Sequence, residues 1–167
     1  RESAAVVDER DYPDGIRIAH EGEFKGGADI NLEGYKIYNN ILINNGWGIN
    51  IHLFKAYLTE SVIANNTIFG RGITTNQYHS DIAGLKANAR QSHPFRDRFD
   101  CRIVNNIVMG APVNIQSDIF TISTNYFNEE DATAQHFTGD PYTFTAEAFK
   151  LKKGSACVNA GTTYQLL

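Results

Sequence analysis

The stretch Ile103-Val-Asn-Asn-Ile-Val-Met-Gly110 is the third appearance of one phrase. The phrase stands earlier as Ile37-Tyr-Asn-Asn-Ile-Leu-Ile-Asn44 and as Ile63-Ala-Asn-Asn-Thr-Ile-Phe-Gly70. A short apolar strand follows each copy within a few residues: Gly48-Ile-Asn-Ile51, Gly72-Ile-Thr-Thr75 and Pro112-Val-Asn-Ile115. An earlier partner, Gly15-Ile-Arg-Ile18, heads the series, and a weaker fourth copy of the phrase closes it at Ile122-Ser-Thr-Asn125. Self-similarity of this kind is the mark of stacked repeats.

The spacing decides which kind. Asn40, Asn66, Asn106 and Asn125 follow one another at intervals of 26, 40 and 19 residues. Helical repeats need about 33 residues and a 3.6-residue period. Here the units are short, Ile- and Val-rich, alternate with period two, and are broken by Asn and Gly. The expectation is an all-β solenoid, with coils over 15–128, a non-repeating lead-in over 1–14, a loop inserted at 77–100, and a closing segment over 129–167. All of it forms one domain spanning 1–167. Ile41, Ile51, Ile63, Ile68, Ile103, Ile107 and Ile115 are expected to face inward as aliphatic columns.

The Asn pairs have a physical reason. A coil turns sharply between strands, and Asn tolerates the left-handed backbone region better than other non-glycine residues. Stacked carboxamides also hydrogen-bond from layer to layer. Asn40, Asn66, Asn106 and Asn125 therefore read as ladder and turn residues rather than catalytic ones.

Composition is compatible with a narrow core. Apolar residues make up 42% of the 167, and the formal net charge is −4. No run reaches the apolar length of a membrane span, so none is expected. No signal peptide is visible at Arg1. Cys101 and Cys157 read as buried free thiols; two cysteines do not demonstrate a disulfide.

At this point the chain resembles a family. The Ile-x-Asn-Asn-x-Ile copies, with Gly46-Trp-Gly-Ile-Asn-Ile51, are similar to right-handed parallel β-helix proteins of the pectate-lyase-like superfamily. The C-terminal stretch adds to the likeness: Asp140-Pro141, then Phe149-Lys-Leu151, then Gly154-Ser-Ala-Cys-Val-Asn-Ala-Gly161. Bacterial members typically close on Asp-Pro, an apolar strand and Gly-Ser-Pro-Ala-Ile-Asp-Ala-Gly; here Ala156 stands for the Pro and Asn159 for the Asp. The likeness covers roughly residues 15–161. It implies a right-handed parallel β-helix and an extracellular or periplasmic setting. It does not select an activity, because the fold carries lyases, hydrolases, epimerases and adhesins. Catalytic members usually have more coils and a helical N-terminal cap. The chain is thus expected to be the C-terminal part of a longer solenoid, or to have its first coil covered by another chain or segment.

Alternation identifies the outer face. If Ile49 and Ile51 point in, Asn50 and His52 point out. Aligning the copies gives one outward column of Arg17, Asn50, Thr74 and Asn114, and a second of Ala19, His52, Asn76 and Gln116. A polar sheet face of this kind suits hydroxyl-rich ligands. The 77–100 loop adds charge: from Lys86 to Arg102 five basic and two acidic residues leave a formal +3. A basic patch on an acidic chain points to an anionic partner. For this family that means an acidic polysaccharide; the overall charge is wrong for nucleic acid.

Lyases of the superfamily remove the proton α to a uronate carboxylate and expel the 4-linked sugar. They need a base and a cation near the carboxylate. His52, Lys55 and His79 are the catalytic candidates. Arg17, Asn50, Asn76, Tyr78, Lys86, His93, Arg96 and Arg98 are the substrate-binding candidates, Tyr78 as a stacking surface for a sugar ring. Hydrolysis needs a carboxylate pair, for which Asp81 and Asp118 are the candidates. The metal requirement stays open. Calcium is the cofactor considered, but Asp8, Glu9, Asp11 and Asp14 show no calcium-loop pattern. A non-catalytic glycan-binding or adhesin solenoid is the alternative.

Overall fold

The computed structural model describes residues 14–20, 30–43, 45, 47–53, 56–70, 83–89, 96–158 and 161. Its strands fall into four successive passes of the chain. The first contributes β1 (Ile16–His20), β2 (Ile30–Glu33), β3 (Lys36–Tyr38) and β4 (Ile41–Ile43). The second contributes β5 (Trp47–Leu53), β6 (Ala56–Thr59), β7 (Ser61–Ala64) and β8 (Thr67–Phe69). In the third, β9 (Ala83–Ala89) is followed by a 3₁₀ turn (Arg96–Arg98), β10 (Cys101–Val104) and β11 (Ile107–Met109). The fourth holds β12 (Val113–Ile115), β13 (Thr121–Ser123) and β14 (Tyr126–Asn128).

Each pass lays its strands beside those of the pass before. The order β1-β5-β9-β12 makes one sheet, β3-β7-β10-β13 a second and β4-β8-β11-β14 a third, with β2-β6 as a two-stranded partner. Every pairing between these strands is parallel. The fold is all-β.

Alternating side chains from the sheets meet in one core. Ile49, Ile51 and Leu85 enter it from the β5 sheet, Leu58 from β6, Ile63 and Ile103 from the β7 sheet, and Ile68 and Val108 from the β8 sheet. At the last pass Ile119 and Phe120 complete it. Burying an aliphatic side chain of this size stabilises the fold by about 1.5–3 kcal/mol.

Two expected core residues are elsewhere. Ile41 is 51% exposed. It begins a three-residue strand in which Leu42 registers with the buried Ile68 and Val108, so Ile41 takes the outer face beside Thr67. Ile107, in register with the same Thr67, likewise faces away from the core and is partly buried against the C-terminal segment, because Val108 takes the inward position; Ile115 is partly buried against the core, and Ile51, Ile63, Ile68 and Ile103 are fully interior.

The β8 sheet is covered on its other side too. Phe69 and Met109 pack against Ala132, Phe137, Tyr142, Phe149 and Leu151 of the C-terminal segment. That segment carries the one-turn helix α1 (Thr133–His136). Burial on both faces is why 67–69 and 107–109 lack clean polar–apolar alternation. Gly110 sits at φ 69°, and a Cβ there would collide with the carbonyl oxygen of Gly70. Only glycine fits where these two passes meet.

The corner between the β7 and β8 sheets divides its work between two residues. Asn39, Asn65, Asn105 and Thr124 adopt left-handed φ of 58°, 54°, 56° and 53°. The residue after each points its side chain along the stack. Asn40, Asn66 and Asn106 each donate Nδ2–H to Oδ1 of the next Asn in the series, all at 2.9 Å. The same Oδ1 atoms accept the backbone N–H of the preceding member at 3.1, 3.0 and 2.8 Å. Asn66 and Asn106 also donate to the carbonyls of Ile37 and Ile63, both at 3.0 Å. Asn66 is wholly buried and all four of its carboxamide bonds are made. The ladder expected from the sequence is present.

Candidate functional site

The outer face of the β5 sheet holds Asn50 and His52, with Arg17 beside them on β1. Ile49, Ile51 and Leu53 are fully buried, so Asn50 and His52 lie on the opposite side of β5. Arg17 registers with Asn50, and Ala19 with His52. Arg17 is exposed, with Nε 3.7 Å from the Asp14 carboxylate. Asn50 is not open to solvent as expected: it is 7% exposed and donates Nδ2–H to Asp14 Oδ2 at 2.9 Å. Its Oδ1 is buried and, among the described residues, has no hydrogen-bond donor. His52 is half-buried.

The third row of this face differs from the expectation. Its strand is β9, from within the segment read as an inserted loop, and not residues 72–76. Asn50 registers with Lys86, and His52 with Asn88. Lys86 in turn registers with Asn114 on β12. The column is therefore Arg17, Asn50, Lys86, Asn114, with Lys86 where Thr74 was expected. Beside it run Ala19, His52 and Asn88, with Asn88 where Asn76 was expected. Leu85 and Ala87 of β9 are fully buried in the core.

Lys55, Thr74, Asn76, Tyr78, His79, Asp81 and His93 lie outside the described residues. Arg96 opens the 3₁₀ turn that packs along β6. Arg98 ends it, with its guanidinium 5.7 Å from the centre of the Tyr57 ring. Arg98 thus belongs to the β6 side, around the corner from β5. Asp118 is exposed in the turn before Ile119.

Neither cysteine is bonded. Burial, reinforced by the charge of Asp100, pushes the Cys101 thiol from 9.0 up to about 12. Cys157 is raised as well, chiefly by burial, against a hydrogen bond from Ser155 that lowers it.

A second polar group was not legible in the sequence. His136 Nε2 lies 2.8 Å from the Tyr126 hydroxyl, and His136 Nδ1 lies 2.9 Å from Ser155 Oγ. Ser155 Oγ also accepts the Cys157 N–H at 3.1 Å. The three residues come from β14, α1 and the closing segment, so no local spacing announces them. His136 and Ser155 are 7% and 8% exposed. Buried this way, the relay fastens the C-terminal segment to the last pass and offers no substrate access to the hydroxyl.

Among the described residues no three His, Cys, Asp or Glu side chains gather as a metal site. No helix among them is long and apolar enough to cross a membrane. Comparison with protein-family models, with curated proteins and with solved structures finds no match to this chain.

Proposed function

We propose that the chain is a segment of a right-handed parallel β-helix that holds an acidic polysaccharide on the outer face of the β5 sheet and cleaves it by β-elimination, outside the cell. Four parallel passes in constant strand order support the helix, and right-handed crossovers are the rule for parallel strands. The observation that carries the functional reading is the register of β9. A basic position, Lys86, stands in the column of Arg17 and Asn50, diagonal to His52 on the neighbouring strand. A flat row of cations and carboxamides suits a linear, hydroxyl-rich anion.

In this reading His52 takes the C5 proton of a uronate. The C5–H electron pair forms the C4=C5 double bond, the C4–O bond breaks, and the leaving oxygen collects a proton. Lys86 and Arg17 hold the carboxylate on which charge gathers as the proton leaves. The bonds of Asn50 favour a second reading, a binding solenoid: one carboxamide group of the face is already engaged by Asp14 and buried.

The test is the appearance of unsaturated uronate absorbance over a panel of acidic polysaccharides. His52→Ala should lower turnover at least about a hundredfold, as for loss of a general base. It should leave the melting temperature unchanged. Lys86→Ala should weaken binding and flatten its salt dependence. Full activity in the His52 variant removes it from the mechanism. Salt-sensitive binding without cleavage by the parent chain selects the adhesin reading.

A further inference from the structure

Two places in the chain set a glycine directly after a side chain that can turn back on the backbone: Asp14-Gly15 and Asn45-Gly46. The sequence holds no other Asp-Gly or Asn-Gly pair. In such a pair the glycine nitrogen can attack the side-chain carbonyl carbon, because no Cβ hinders its approach. A hydrogen bond on that nitrogen, or one that clamps the side chain, opposes the attack.

At Asp14-Gly15 the fold supplies both. The Gly15 N–H donates to Trp47 O at 2.8 Å. Asp14 Oδ2 accepts from Asn50 Nδ2–H at 2.9 Å and lies 3.7 Å from Arg17 Nε.

The ladder asparagines are shielded as well. Asn40, Asn66, Asn106 and Asn125 are followed by the bulkier Ile41, Thr67, Ile107 and Tyr126. The N–H groups of Thr67, Ile107 and Tyr126 donate to the carbonyls of Asn40, Asn66 and Asn106 at 2.9, 2.8 and 2.8 Å. The left-handed Asn39, Asn65 and Asn105 each precede an N–H that donates to a ladder Oδ1.

Asn45 is followed by the least hindered residue and is weakly held. It is half-buried in the connection between β4 and β5. Among the described residues its carboxamide makes one hydrogen bond, from Nδ2–H to Ile43 O at 3.4 Å, beyond the usual range. Its Cγ lies against Gly15, where an added Cβ would stand 3.1 Å from it.

We infer that Asn45 is a modification site, at which the folded chain loses ammonia and acquires aspartate or isoaspartate at position 45 with water as the only co-reactant. The nitrogen of residue 46 gives its proton to solvent and bonds to Asn45 Cγ. The Cγ–Nδ2 bond breaks, and Nδ2 takes a proton from solvent and leaves as ammonia. Water then opens the five-membered imide on either side. Breaking the nitrogen's bond to Cγ leaves aspartate. Breaking its bond to the backbone carbonyl carbon leaves isoaspartate, with the chain running through Cβ and Cγ.

The position gives this conversion a structural effect. A carboxylate replaces the neutral carboxamide that packs on Gly15, the chain neighbour of Asp14, and like charges repel. The isoaspartate route also adds one backbone atom just before Trp47, where β5 begins and the Gly15 N–H is accepted. Conversion therefore loosens the β1–β5 pairing that sets Arg17 beside Asn50. The inference does not depend on the polysaccharide reading.

Ageing the full folded chain in mildly alkaline buffer, followed by peptide mapping with mass spectrometry, tests it. The peptide holding residue 45 should gain the mass difference between O and NH and split into two chromatographic species. One of the two should be methylated by an isoaspartyl methyltransferase used as a reagent. Peptides holding the ladder asparagines should stay unchanged over the same time. Gly46→Ala should slow the conversion at least about tenfold, a barrier higher by about 1.4 kcal/mol. Asn45→Gln should remove it, because the ring would need six members. The aged species, separated by its extra negative charge, should melt about 2–4 °C below the parent. Conversion at position 45 in the urea-unfolded chain but not in the folded one would overturn the inference, since the fold then protects the site. Equal conversion at the ladder positions would overturn it too. An unchanged melting temperature of the separated species would refute the coupling to the β1–β5 pairing.

Discussion

Opposite corners of the stack obey different rules. Between the β7 and β8 sheets every pass turns the same way, on a left-handed residue followed by a ladder Asn. Between the β5 and β7 sheets no two of the later passes agree. The second pass uses β6, the third a 3₁₀ turn at Arg96–Arg98, and the fourth a turn that buries Ile119 and Phe120. The first corner pins register, because a carboxamide with all its bonds made tolerates no slip. The second needs only to fill the core, and any local structure with an apolar inward side satisfies it. Variation in this molecule therefore accumulates on one side.

The largest expected effect breaks the rigid corner. Asn66→Ala strands the Asn40 N–H and Nδ2–H and the Ile37 carbonyl. Each unmet buried group costs about 1–3 kcal/mol. Chemical denaturation should show a loss of about 4 kcal/mol; a loss below about 1 kcal/mol would mean that the ladder merely accompanies the stacking.

A smaller effect sharpens the same corner. The fourth pass places Thr124, a β-branched residue, where the others place Asn. Thr124 Oγ1 does bond Asn105 Oδ1 at 2.6 Å, but left-handed backbone suits Asn better than Thr. Thr124→Asn should raise stability by about 1 kcal/mol, read as a higher denaturation midpoint at unchanged slope. A lowered midpoint would show that the hydroxyl outweighs the backbone preference.

The smallest effect belongs to the permissive corner. Ser117 and Asp118 are both exposed. Inserting Gly-Ser between them lengthens a short connection, and loop entropy alone predicts a cost below about 1 kcal/mol. The same insertion between Asn65 and Asn66 should abolish cooperative unfolding, which circular dichroism melting would report.

This contrast also explains what the sequence made legible. The Asn phrases revealed the all-β stacking because one corner repeats its chemistry in every pass. Strand β9 was overlooked because its inward residues are Leu85 and the small Ala87, and no Asn–Asn phrase adjoins it; the alternation of Ala83-Gly-Leu-Lys-Ala-Asn-Ala89 was the available signal. Ile41 and Ile107 were misplaced because a three-residue strand has too few positions to fix its phase. The candidate site was legible only in part. Alternation gave the outer face of β5, but the neighbours of Asn50 and His52 depend on which strand lies alongside. The Tyr126–His136–Ser155 relay depends on a chain reversal that no spacing encodes.

The ladder has a further consequence, for how far this sequence can drift. Each pass requires one carboxamide at a fixed phase, a preceding residue that accepts left-handed backbone, and a few inward aliphatics that are interchangeable among themselves. The remaining positions face solvent or fill a tolerant corner. Two chains could meet these demands with almost no residues in common and still stack in register. The architecture is thus sparsely encoded: a periodic constraint on a handful of atoms carries the shape, and most of the text is free to change around it.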